Sequence, residues 1–136
     1  MLKAIFFIPF VLLGHFASSQ DIPKDLYGNW RGTVRVRSDG KPYSSKIKTV
    51  MQSHNGYHLK ISKDGWLTND DGLREKLQYN KKDSSFFLAD RHFVKIERLT
   101  PTKMVLRLYL FYDRKAAATI TDKSFFHRCY YVKKGA

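Results

Sequence analysis

Cysteine is nearly absent from this sequence, and the single copy, Cys129, excludes an internal disulfide and any multi-thiolate zinc centre. Acid is scarce too. Twelve Asp and Glu face 25 Lys and Arg, a net charge of +13, which turns the chain toward anionic company. Long apolar runs are missing beyond the first residues. The segment 4–13 is apolar but carries Pro9, and it is much shorter than the roughly 20 residues that span a bilayer. What the chain does hold is 43% hydrophobic and 15% aromatic residues over 136 positions. A disordered tail lacks that much apolar area, and the length suits one domain.

Residues 1–19 have the layout of a cleavable secretory signal: a basic start at Lys3, the apolar run, then small residues at Ala17 and Ser19. Cleavage is expected before Gln20, leaving 20–136 as one exported domain in the periplasm or outside the cell. A lipid anchor would need a cysteine at the mature start. Cys129 is instead set in the aromatic run 125–131, where an inert buried thiol is expected and a disulfide-linked dimer is the lesser alternative to a monomer.

Period two dominates from Trp30 onward. Over 29–38, Trp30, Val34 and Val36 alternate with Arg31, Arg35 and Arg37, the pattern of a strand with one buried side. Further strands are expected at 46–53, 56–63, 73–80, 85–89, 91–98, 103–112, 116–122 and 125–133, eight or nine in all. Turn signals separate them: Asp39-Gly40, Asn55-Gly56, Asp64-Gly65, Asp71-Gly72 and the run 80–83. Only 22–28 has weak helical character. Short links make successive strands antiparallel, and closing the sheet removes its edges. An all-β, antiparallel up-and-down meander closed into an approximately eight-stranded barrel is therefore expected, with a β-sandwich as the alternative.

The run Asp25-Leu26-Tyr27-Gly28-Asn29-Trp30-Arg31-Gly32 resembles the opening of lipocalin-like barrels, in which Gly-x-Trp begins the first strand. The run 96–107 resembles a turn and late strand of small bacterial lipocalin-like domains. The disulfide of many secreted lipocalins is lacking, so the likeness is to lipocalin-like relatives. It implies a barrel closed at Gly28 and Trp30, with Arg128 of the last strand packed across the indole. A guanidinium over an indole contributes about 0.5 to 2 kcal/mol.

Catalytic patterns are missing. His54, His58, His92 and His127 lack the spacing of metal ligands on a helix, and Asp64, Asp70 and Asp71 lack the order of a calcium loop. There is no phosphate-cradling glycine loop and no Gly-x-Ser-x-Gly elbow. No enzyme activity, cofactor or metal is expected. The aromatic supply, by contrast, could line an apolar cavity with a polar rim. The expected function is binding of a small hydrophobic or amphipathic molecule inside the barrel, with Trp30, Tyr57, Leu59, Leu106 and Leu108 as lining residues. The alternative is a filled barrel whose basic surface, Arg31, Arg35, Arg37, Lys46, Lys48, Lys60 and Lys95, docks on a protein or a polyanion such as lipopolysaccharide or acidic polysaccharide. Nucleic acid is less accessible to an exported chain.

Overall fold

In the computed structural model, residues 21–41, 58–70 and 72–135 are described. A 3₁₀ turn at Lys24–Leu26 leads into β1 (Gly28–Arg37). Then follow β2 (His58–Ile61), β3 (Trp66–Asn69), β4 (Arg74–Lys76), β5 (Ser85–Leu88), β6 (His92–Leu99) and β7 (Lys103–Tyr109). A short helix, α1 (Arg114–Ala117), precedes β8 (His127–Lys133). All strand pairs are antiparallel, in the order β4-β3-β2-β1-β8-β7-β6-β5. The result is the expected all-β meander, with β8 returning to β1, curled into a half-barrel. Among the described residues its two outer strands, β4 and β5, are not paired in a ladder; Asn80 of their connection bridges Ser85, and the Glu75 carboxylate of β4 accepts the N–H of Ala89, just past β5, at 2.9 Å.

Tight turns fall where Asp-Gly and Asn-rich runs placed them. Gly65 N–H donates to Ser62 O at 2.9 Å with φ +88°, closing the β2–β3 hairpin. Three expectations are corrected. The strand at 116–122 is replaced by α1 and turns, because the Asp113 carboxylate accepts the Ala116 N–H at 2.8 Å and caps a run of alanines. β3 was not expected: four residues are too few to show a period. The strand at 103–112 ends at Tyr109. The strand expected at 46–53 lies outside the described residues.

Two β-bulges decide which side chains face inward. In β1, Gly32 pairs with Tyr131 but Val34 with Tyr130, so Thr33 is the extra residue. Its hydroxyl donates to Tyr130 O at 3.3 Å. Because side chains alternate, one extra residue reverses the faces beyond it. Trp30 is buried before the bulge; after it Val34 is 48% exposed and Arg35 only 8%. The expectation that Val34 and Val36 share the Trp30 face, with Arg35 and Arg37 on the other, is overturned here. In β6, Ile96 pairs with Leu106 and Arg98 with Val105, leaving Glu97 as the second extra residue.

Inward side chains from β1, β2, β3, β5, β6, β7 and β8 form one contiguous core around Trp30, Leu59, Leu67, Phe86, Val94, Met104 and Tyr131. On the opposite side of the sheet, Phe87, Phe93, Tyr109 and Phe126 make a chain of ring contacts with centroids 5.3 to 5.8 Å apart. The Arg114 guanidinium of α1 sits 4.6 Å from the Phe87 ring, which ties the helix to the outer wall.

Candidate functional site

Where β1, β2 and β3 run side by side, register puts buried apolar residues on one side and a polar rim on the other. Trp30 pairs with Leu59, and Leu59 with Asn69, on the inward side; Asn29 pairs with Lys60, and Lys60 with Thr68, on the outward side. Around these residues opens a pocket of about 350 Å³, which His58, Asp70 and Lys134 complete. That volume is at the lower end of the range that holds a small molecule, roughly 300 to 1,000 Å³.

Behind the pocket, the buried Trp30 is held in place. Trp30 Nε1 donates to Leu26 O at 2.9 Å, which fixes the indole plane. Lys133 crosses that ring, its Nζ 4.8 Å from the centroid, and donates to Asp25 O at 2.9 Å. Gly28 makes room for this lysine: a Cβ there would stand 3.1 Å from Lys133 Cε, and φ is +136°. Gly28 and Trp30, expected to close the barrel, both pack against Lys133. Arg128, expected over Trp30, lies on the other side of β8, with its guanidinium 5.3 Å from the Phe126 ring and its Nε donating to Glu97 at 2.9 Å.

On the rim, the Asp70 carboxylate accepts the His58 backbone N–H at 2.7 Å and has His58 Nδ1 at 3.1 Å. Lys134 Nζ lies 3.4 Å from His58 Nε2. An Asp70–His58–Lys134 chain, with the proton on Nδ1, orients the imidazole and points the lysine along the rim. Lys60 is exposed beside it. The arrangement can hold an anionic group beside Lys60 and Lys134.

The remaining sequence candidates scatter. Leu106 and Leu108 are buried in the core, 3% and 2% exposed, away from this pocket. Tyr57, Lys46 and Lys48 lie outside the described residues. Arg31 and Lys95 are exposed on the outer wall. Arg37 is half-buried, and its guanidinium meets the Asp39 carboxylate at 2.7 Å. Arg35, expected outside, is inward and donates from Nε to His127 Nδ1 at 2.7 Å. The signal for this burial was Gly32, since an isolated glycine in a strand marks a bulge. Lys133 and Lys134 carry no signal in the sequence beyond their charge.

A second pocket, of about 280 Å³, opens between α1 and β5, lined by Gln78, Phe87, Phe93 and Arg114 among others. Among the described residues no three His, Cys, Asp or Glu side chains gather as a metal site, and no helix is long and apolar enough to cross a membrane. Compared with protein-family models, curated proteins and solved structures, the chain matches none.

Proposed function

We propose that this chain is an exported, lipocalin-like binding protein that takes a small amphipathic molecule with an anionic head at the β1–β2–β3 pocket. The observation that carries the reading is one opening of about 350 Å³ where Lys60 and Lys134 stand over the buried Trp30 and Leu59. Trp30 and Leu59 are themselves closed to water, 0% and 1% exposed, so an apolar tail would gain roughly 25 cal/mol per Å² only from the other apolar surface that it covers at the opening. The head would rest between the two ammonium groups, where Coulomb attraction near a surface is several-fold stronger than in bulk water. The basic, apolar and small-residue order of 1–19 supports export with cleavage before Gln20.

Titration of the protein with a fluorescent fatty-acid analogue tests this. Saturable one-to-one binding is expected, weakened about tenfold or more by Lys60→Glu with Lys134→Glu. Binding that does not saturate, or that ignores both substitutions, sinks the proposal. For export, the mass of the protein recovered outside the cytoplasm should correspond to a chain beginning at Gln20.

A further inference from the structure

We infer a second, separate binding face on the outer wall of β1, β8, β7 and β6, built to take an acidic polysaccharide. Cross-strand pairing sets the outward residues of these strands in three rows. Arg31, Val132 and Lys103 form the first; Val34, Tyr130, Val105 and Arg98 the second; Val36, Arg128, Arg107 and Lys95 the third. Both bulges are needed to make them. Without Thr33 as an extra residue in β1, Val34 and Val36 would turn inward; without Glu97 as one in β6, Arg98 would leave its row.

Like charges directly opposite one another destabilise a sheet, yet Lys95 faces Arg107 and Arg107 faces Arg128. What holds the two arginines is the bulged Glu97. Its Oε2 accepts from Arg107 Nε at 3.2 Å and from Arg128 Nε at 2.9 Å, reaching past β7 to β8. Both guanidinium groups also lie over the Phe126 ring, 4.7 and 5.3 Å from its centroid. Glu97 is the only acidic residue in the sequences of these four strands. The face therefore keeps a large positive excess, with two of its cations fixed in orientation before any ligand arrives.

The row geometry matches a polymer. Strands stand about 4.8 Å apart and same-face residues about 7 Å apart along a strand, so the cations form a grid with the half-exposed Val34 and Tyr130 at its middle. A bilayer would call for bulky apolar wedges on the polar-rimmed face, and none of these rows holds a Trp, Phe or Leu. Single-stranded nucleic acid is gripped by successive stacked rings, whereas Tyr130 is the one aromatic residue open in these rows and Phe126, beneath Arg107 and Arg128, is 8% exposed. A chain of sugars bearing carboxylate or sulfate groups needs only what is present: spaced cations and one ring to lie against.

The test uses oligomers of a polyuronate and of a sulfated glucan with the full chain. The variant Arg31→Gln, Lys95→Gln, Arg98→Gln, Lys103→Gln leaves the Glu97 clamp intact and should lose at least tenfold in affinity, with a shallower salt dependence. A charge-matched control, Lys24→Gln, Lys63→Gln, Lys115→Gln, Lys123→Gln, removes as many exposed cations from elements off this face and should bind within about twofold of the parent. Equal loss in both variants means diffuse charge attraction and overturns the proposal. So does tighter binding to phosphatidylglycerol vesicles or to single-stranded DNA than to either polysaccharide. Fatty-acid analogue binding should be unchanged in the first variant, so the two sites succeed or fail independently.

Discussion

Arg35 and His127 are joined across the β1–β8 ladder: the guanidinium Nε donates to the imidazole Nδ1 at 2.7 Å. Since arginine stays charged and has only donors, His127 must accept and so must be neutral. Burial first, and then the charges of Arg35 and Arg37, push its pKa down to about 4. The unfolded chain takes up this proton near 6.5, whereas the folded chain refuses it until about 4. Stability should accordingly fall as pH drops from 6.5 toward 4, by up to about 3 kcal/mol from this residue. His92, lowered by its own burial and by Arg91 and Arg35, adds to the loss with the same sign. Guanidinium unfolding midpoints between pH 7.5 and 4 check it. His127→Asn keeps an acceptor for Arg35 but cannot titrate, and should remove the larger part of the slope; an unchanged slope rejects the assignment.

The bulge at Thr33 yields a contrast that strict alternation would reverse. Val34, placed in the core by its period-two pattern, is nearly half exposed, so Val34→Lys should change stability by no more than about 0.5 kcal/mol. Arg35→Ala, a surface change on that pattern, should cost about 1 to 3 kcal/mol through the loss of a buried hydrogen bond to His127. Thermal or denaturant unfolding of the two variants decides the matter. The reverse ranking would show that the ladder runs without the bulge.

That contrast also locates what the sequence made legible. Alternation and Asp-Gly turns carried the strand class, the antiparallel order and most element positions, because both depend on neighbours within a few residues. Inward and outward faces past Thr33 and Glu97 did not follow, because a single inserted residue changes the phase without altering composition. α1 was missed for a related reason: the local cap at Asp113 outweighs the apolar character of 116–122. Of the pocket, Trp30, Leu59 and Lys60 were foreseeable from their own strands. His58 with Asp70, and Lys134, come together only through pairing of β1 with β2 and β8 and of β2 with β3.

Cys129 faces inward beside Leu106 and Arg35, 6% exposed, and burial pushes its thiol up to about 11. The thiolate is the reactive form, so the native protein should resist iodoacetamide at pH 8 for hours while the guanidinium-unfolded chain is alkylated within minutes. Mass spectrometry of the quenched samples reads the outcome. Rapid labelling of the native chain would mean that β8 opens readily or that the thiol is accessible.

Two lysines and an arginine compete, on paper, for the face of Trp30, and the geometry separates them. Lys133 Nζ stands over the indole at 4.8 Å and also donates to Asp25 O; Arg128 belongs to the Glu97 and Phe126 cluster; Lys134 follows on toward His58. Lys133→Met should lose the cation–π attraction and the hydrogen bond, destabilising by about 1 to 3 kcal/mol, and should shift the fluorescence of Trp30. Measurement is cleanest in a Trp66→Phe background, because the Trp66 ring lies beneath Arg74 and Lys76 and would add its own signal. Arg128→Met should leave that spectrum unchanged while weakening the outer cluster. Should Arg128→Met perturb Trp30 and Lys133→Met not, then the first strand is closed by the guanidinium that the lipocalin-like resemblance implies.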